Sequence, residues 1–341
     1  MTAEVFKLGQ ALPASAFAAT SIDLYLTSAC NRQCSYCFLS ESFFANRQHM
    51  SIGTVAEIVR WTAESTIEEI TLLGGEPAMH PDFVAIVALI KAAGLAVRTV
   101  TNGSSKFRAA MTHGPTSAAM DRVAVSLDVP NPELFDQLRG RGAFKDAMRT
   151  IELLALARKQ FDINFTVVKS ALPYVRQMLR FAEDLGARRI NMHWFSPVGR
   201  GKLNAQHETV SSDEWREVLD VVAGYSPSRG DFIVDCELGY ELGYRGEDRK
   251  MCAVRDRTNL QFMPDGSVFS CGMLVERPDL AGYMWRGGGL HLRQAESEVT
   301  RTATPCGGCP MRVKVAAVSN DGAPEPLPLC IYNRLDRSPA H

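Results

Sequence analysis

A chain of 341 residues, 46% of them hydrophobic, has room for one full-sized domain and a smaller one, each with its own core. Its 37 Lys and Arg offset 38 Asp and Glu to a net charge of −1, with no long block of either sign. That balance argues against a nucleic-acid groove or an anionic membrane surface and leaves small molecules or another protein as partners.

The N-terminal stretch MTAEVFKLGQALPASAFAAT has an early Glu and no continuous apolar run, so it makes a poor signal peptide. No window approaches 18 uninterrupted apolar residues, which excludes an ordinary membrane span. The chain reads as cytoplasmic, and in a reducing compartment its nine cysteines are better explained as metal ligands than as bridges.

Past an extension over residues 1–20, short β-branched or apolar runs recur at 22–27, 69–73, 96–101, 122–127, 162–168 and 190–195. Between them, 54–64, 81–93, 144–157 and 174–185 repeat apolar residues at helical spacing. Strands alternating with helices predict an α/β fold of parallel βαβ units. Six units form an open, partial (β/α)6 TIM-like barrel over 21–205, with polar residues at strand C-terminal ends lining a site. Residues 206–235 read as a helical linker. From about Cys236 to 341 the pattern changes to short runs, turns and cysteines, marking a small second domain.

Cys30, Cys34 and Cys37, spaced C-x3-C-x2-C just after the first strand, supply three thiolates. Three protein ligands leave one iron of a four-iron cluster open to a substrate or cosubstrate, whereas four would close it. A zinc knot or a pair of redox thiols is the alternative. Zinc wants a fourth ligand nearby, and the nearest histidine, His49, lies beyond a polar stretch. About forty residues on, Gly74-Gly75-Glu76-Pro77 ends the second strand. Its glycines allow close approach of a ligand, and its carboxylate and carbonyls can accept hydrogen bonds from an ammonium group.

With Tyr36 before the last cysteine, these two motifs and their separation resemble the radical S-adenosylmethionine (SAM) superfamily from about Ile22 to Gly201. The resemblance implies a [4Fe-4S] cluster whose open iron chelates the amine and carboxylate of SAM's methionine. It also implies cleavage of SAM to a 5′-deoxyadenosyl radical that takes a hydrogen atom from substrate. By the same likeness the GGEP loop holds the methionine amine, while Asn102, Ser126 and Asp128 at later strand ends contact the ribose hydroxyls and the SAM carboxylate. Strand-end turn formation and helix capping explain the same residue types. Thr166, Lys169, His193 and Arg200 lie near the same mouth. Arg200 suits a bidentate pair with the SAM carboxylate or an anionic substrate, and His193 also reads as a core histidine.

Cys252 and Cys271 flank Pro264-Asp265-Gly266, a turn between two short strands that predicts a hairpin. Cys306 and Cys309 add a C-x2-C pair. The set is similar to the twitch subdomain, a shortened SPASM domain, and implies one auxiliary [4Fe-4S] cluster on Cys252, Cys271, Cys306 and Cys309. A zinc ribbon uses the same ligands. Cys236 and Cys330 are left over as buried thiols; Cys330 reads alternatively as a replacement ligand or a hydrogen donor to a product radical.

The expected reaction is dehydrogenation of a polar small molecule, a sugar, aminocyclitol or nucleoside, with the auxiliary cluster as electron acceptor. Flavodoxin or ferredoxin is the expected electron donor. About 21 residues before the first strand are too few for a leader-recognition domain, so peptide modification ranks below decarboxylation or epimerisation. For decarboxylation Arg200, Lys169, Arg255 and Arg257 are candidate anchors. A non-catalytic iron-sulfur or zinc protein that binds SAM is the reading from another class.

Overall fold

In a computed structural model of the chain, residues 9–236, 258–272, 275 and 281–293 are described. Cys252, Cys306, Cys309 and Cys330, with Arg255 and Arg257, lie outside the described residues, and so does most of the second cysteine set.

Ala11–Leu12 form strand β1, and the first long strand, β2, spans Ser21–Thr27. Six more follow as β3 (Glu69–Gly74), β4 (Ala96–Thr101), β5 (Arg122–Ser126), β6 (Phe161–Val167), β7 (Arg189–Trp194) and β8 (Ile233–Cys236). Each is joined to its predecessor through helix and pairs with it in parallel. Such pairing without hairpins needs crossovers of a dozen or more residues, which the helices provide.

The six expected strands are all present, and β8 is a seventh in the stretch read as a linker. Four residues with a polar third position carry little strand signal of their own. Long-range pairing recruits them: Ile233 to Cys236 align with Arg189 to Met192, and Arg189 Nη1 lies 2.7 Å from Asp235 Oδ2. The helix Ser212–Ala223 precedes β8, begun by a capping box in which Ser211 and Glu214 satisfy each other's backbone.

The expected hairpin consists of β9 (Gln261–Phe262) and β10 (Ser267–Phe269), followed by β11 (Tyr283–Arg286) and β12 (Gly289–Leu292). These strands do not stand apart from the parallel set. β9 pairs with β2, giving one sheet in the order β1-β12-β11-β10-β9-β2-β3-β4-β5-β6-β7-β8. Trp61, on the helix Ile52–Thr62, packs edge-on against Phe262 and Trp285 at ring separations of 6.0 and 5.8 Å, fixing the appended strands to the same core.

One face of the parallel strands is apolar. Ile22, Leu24, Ile70, Leu72, Val97 and Ile163 are fully buried in one core with Val55, Ile58, Ile86 and Ile90 of the helices. At roughly 1.5–3 kcal/mol per buried aliphatic side chain this face holds the sheet. The partly exposed ion pairs on the other face contribute about 1 kcal/mol or less each. Parallel sheets covered on both faces usually carry apolar residues throughout. Here the opposite face alternates into Asp23, Thr71, Arg98, Asn164 and Asn191, and that departure opens a cavity.

Candidate active site

A cavity of about 560 Å³ opens at the C-terminal ends of the parallel strands and runs down their polar face. Cys30, Cys34 and Cys37 share it with Gly74, Gly75 and Glu76, and with Asn102, Ser126 and Arg200. Residues up to 170 positions apart in sequence thus meet at one mouth because each follows or ends a strand of the same sheet.

The cysteine loop is clamped from three sides. Gly75 and Glu76 donate their N–H groups to the carbonyls of Thr27 and Ala29 at 2.8 and 2.9 Å, so the loop after β3 lies directly on the loop after β2. A Cβ at Gly75 would sit 2.4 Å from Ala29 O, and one at Gly74, whose φ is +152°, 2.5 Å from Thr27 O. From the second side, Ser35 N donates to Leu138 O, and Arg32 donates to the carbonyls of Arg141 and Gly142 and pairs with Asp146. From the third, Gly201 N donates to Cys37 O at 3.0 Å and Asn204 Nδ2 to Ser35 O at 2.8 Å. Gly199, at φ +55°, would place a Cβ 2.3 Å from Phe38 O. These contacts fix the backbone around the cysteines to three neighbouring segments.

Glu76 differs from the sequence expectation. Its carboxylate, 1% exposed, accepts Thr101 Oγ1 at 2.7 Å, Asn102 N at 2.8 Å and Ser104 Oγ at 3.1 Å, while burial raises its pKa. It ties the end of β3 to the end of β4 and so places Asn102. Asn102 Nδ2 donates to Asn31 Oδ1 at 2.9 Å and lies 3.6 Å from Cys30 Sγ, and its Oδ1 is buried with no partner. An unpaired buried acceptor at the mouth of a cavity is a ready site for a ligand hydroxyl or amine.

Asp128 is corrected outright. It is fully buried, does not line the cavity, and accepts Arg139 Nε at 2.5 Å, Arg139 Nη2 at 3.2 Å, Thr166 N at 2.9 Å and the hydroxyl of Tyr36. Four donors fill a carboxylate and leave nothing for a cosubstrate. Its work is to hold Tyr36, the aromatic residue between Cys34 and Cys37.

Arg200 keeps the bidentate geometry expected of it with an internal partner: Nε and Nη2 reach Glu41 at 2.5 and 3.0 Å, and the guanidinium stacks 4.1 Å over Phe44. Thr166 and His193 line the cavity. Lys169 is turned away and pairs with Glu214. Cys271 is half-buried and packs with Cys37 in a small cluster around Tyr25, Leu39 and Phe269, while Cys236 ends β8 in the main core.

The cysteine side chains fit an iron-sulfur cluster. Burial pushes Cys30 up to about 11 and Cys37 to about 12, with the neighbouring thiols adding to the rise, and Cys34 moves the same way. Three adjacent thiolates in such surroundings need a compensating cation, which the irons would supply. Among the described residues no three His, Cys, Asp or Glu side chains converge to hold a single metal ion, as mononuclear zinc would require. A four-iron cubane spreads its ligand sulfurs over separate irons.

Sequence reasoning missed the deeper lining: Asp23, Thr71, Arg98, Asn164, Asn191 and Gln261. The signal was available as a polar residue at every second position of β2, β6 and β7, and as Thr71 and Arg98 at the matching positions of β3 and β4.

Comparison with known proteins agrees with this geometry. Residues 24–170 match the model of the radical SAM superfamily. The AdoMet-dependent heme synthase of Oleidesulfovibrio alaskensis is 30% identical over 198 residues, 57% of this chain and 50% of that protein. The mycofactocin maturase MftC of Mycolicibacterium smegmatis is 26% identical over 297 residues, 83% of this chain and 74% of MftC. The chain thus spans about half the length of the first of these relatives and three quarters of the second. The fold matches Streptococcus suis SuiB bound to SAM at a TM-score of 0.63 and 16% identity, covering 76% of this chain and 61% of SuiB. A second SuiB structure, bound to precursor peptide SuiA, matches at 0.61. Among the described residues no helix is long and apolar enough to cross a membrane. The three cysteines and the glycine loop packed on them fall inside the segment, residues 24–170, that matches the radical SAM superfamily, and with the strand-end cavity they suit the cofactors expected of that family, a [4Fe-4S] cluster and SAM.

Proposed function

We propose that the chain is a radical SAM enzyme that modifies a peptide. The observation that carries this reading is the extent of the likeness to MftC. It runs over 83% of the chain, well beyond the matched domain, whereas the heme synthase likeness covers 57%. SuiB, of the same fold, is found with a precursor peptide bound. The dehydrogenation of a sugar, aminocyclitol or nucleoside first expected from the sequence is not supported by these relatives, and peptide modification takes its place.

With the cluster and SAM bound, the chemistry supplied is hydrogen-atom abstraction from carbon. The chain's own residues do the rest. Cys30, Cys34 and Cys37 would hold the cluster, and Asn102 and Ser126 offer polar groups to SAM at the same mouth. A cavity of about 560 Å³ is of the size that takes one small ligand. With SAM inside, the remaining space suits a side chain or a chain end entering from a peptide that lies mostly outside. An auxiliary cluster on Cys252, Cys271, Cys306 and Cys309, and flavodoxin or ferredoxin as reductant, belong to the same proposal.

The test is anaerobic turnover of the reconstituted protein with SAM, comparing precursor peptides encoded beside its gene with a panel of sugars and nucleosides. A mass change in a peptide, with deuterium from that peptide appearing in 5′-deoxyadenosine, is expected. Deuterium transfer from a sugar or nucleoside, with peptides inert, overturns the reading.

A further inference from the structure

Four arginines line the cavity, and three are committed. Arg32 pairs with Asp146, Arg139 with Asp128 and Arg200 with Glu41. The fourth, Arg98 on β4, has no ion pair and no hydrogen bond among the described residues, and its Nε is buried without a partner. Its nearest strand neighbours do not account for it. Arg122, its register partner on β5, is itself a cation and is occupied by Glu69 and Asp162 at 3.8 and 3.2 Å. Thr71, its partner on β3, is uncharged. Asp23, one strand further, is close enough to feel its charge but is not paired with it.

A half-buried guanidinium with no hydrogen-bond partner and only the unpaired Asp23 carboxyl near it is retained at a cost that an arriving anion would offset. We propose that Arg98 is the substrate-anchoring residue of this cavity and that it receives a carboxylate of the substrate. The guanidinium fork matches a carboxylate in shape as well as charge. Its register neighbour Thr71, with Asn164, Asn191 and Gln261 of the same cavity lining, makes a wall suited to a hydrated, polar group over an aliphatic one.

Position adds a second constraint. Arg98, Val100 and Asn102 all face the cavity from β4, and strand geometry separates successive inward positions by about 6.6 Å. Arg98 is thus about 13 Å below Asn102, with the level of Val100 between them. An extended peptide rises about 3.3 Å per residue, so a chain anchored at Arg98 reaches the cosubstrate level within roughly four residues. The carboxylate is either a chain end or an acidic side chain close to the modified residue. This inference rests on the peptide reading for the nature of the molecule, and on Arg98 alone for the anion.

The test is equilibrium dialysis of three short probes against the full reconstituted chain with SAM present. The probes are acetyl-triglycine as the free acid, the same tripeptide amidated, and acetyl-Gly-Glu-Gly amide. One or both acids should bind at least tenfold more tightly than the neutral amide. Arg98→Met should abolish the difference, while Arg98→Lys, which keeps the charge and loses the fork, should retain part of it. Preference for the free acid assigns a chain end, and preference for the glutamyl peptide assigns a side chain. Equal binding of acids and amide, or acid preference that survives in a folded Arg98→Met protein, overturns the anchor. Binding of glutarate as tight as that of the best peptide acid, and lost in Arg98→Met, keeps the anchor and overturns the peptide reading instead.

Discussion

The carboxylate of Glu76 accepts the backbone N–H of Asn102 at 2.8 Å, joining the loop after β3 to the loop after β4 beneath the cysteines. The family motif glutamate is thereby a positioning residue, with its oxygens turned to Thr101, Asn102 and Ser104. Gln in its place would set an amide nitrogen against at least one of three donors and leave that donor buried and unpaired. Glu76→Gln is expected to cost about 1–3 kcal/mol in urea unfolding. It should also weaken SAM binding through displacement of Asn102, as equilibrium dialysis would show. Unchanged SAM affinity in a destabilised protein would remove the link to Asn102.

Gly75 is where the two family motifs touch, with its Cβ direction blocked by Ala29 O at 2.4 Å, Ala29 C at 2.7 Å and Cys30 Cβ at 2.9 Å. Two of these atoms are backbone and cannot swing aside. Gly75→Ala should cost about 1–3 kcal/mol as overpacking and push the cysteine loop from its place, lowering the iron bound per chain after reconstitution. Gly53 is the control, since a Cβ there meets only Ser51 Oγ at 3.6 Å. Gly53→Ala should be neutral or stabilising by up to about 1 kcal/mol, with full iron content.

Two ion pairs made by arginines of the cavity lining should respond to very different degrees. Asp128 and Arg139 are 0% and 9% exposed in their side chains, and Tyr36 joins them through its hydroxyl. Asp128→Asn leaves a buried guanidinium without its counter-charge and is expected to destabilise by roughly 3–5 kcal/mol. Glu41, paired with Arg200, is 70% exposed, so Glu41→Ala should leave the denaturation midpoint close to that of the wild type. Chemical denaturation of the two variants against wild type gives both numbers.

Much of this arrangement was legible in the sequence because its signals are local. The run Ala96 to Thr101 coincides with β4, and the other five expected strands differ from those observed by one residue at one end or both. The cysteine spacing and the glycine pair also read directly. What escaped depends on contacts between distant segments. β8 exists through β7, and the β9–β12 strands join the parallel set through β2 rather than forming a unit of their own. Asp128 was assigned to the cosubstrate because it follows a strand, yet its side chain turns inward to Tyr36 and Arg139, which lie 92 and 11 residues away. Strand position alone does not reveal which way such a side chain faces. The polar floor escaped for a different reason: an apolar run is enough to mark a strand, whereas Asp23, Thr71, Arg98 and Asn191 form a second face only once their strands lie side by side.

Asp23 gives that floor a pH dependence. Burial raises its pKa from 3.8 to about 6 against the opposing pull of Arg98 and a hydrogen bond from Thr71. A carboxyl whose folded-state pKa lies above its unfolded value favours the folded state in its neutral form. The folded protein therefore loses stability as pH rises from about 4 to about 6, and the penalty is constant above that window. At 1.36 kcal/mol per pK unit the full penalty is at most about 3 kcal/mol, and cavity water reduces it. Asp23→Asn removes the titration. The variant should melt above wild type at pH 7.5, and the gap should close by pH 4, where both side chains are neutral. A gap that is the same at both pH values would show that Asp23 does not titrate in this range. Because Asp23 neighbours Arg98, the variant should also bind the acid probes more tightly at pH 7.5, with one competing negative charge gone from the floor. Weaker acid binding in Asp23→Asn would show instead that Asp23 orients Arg98 toward the cavity.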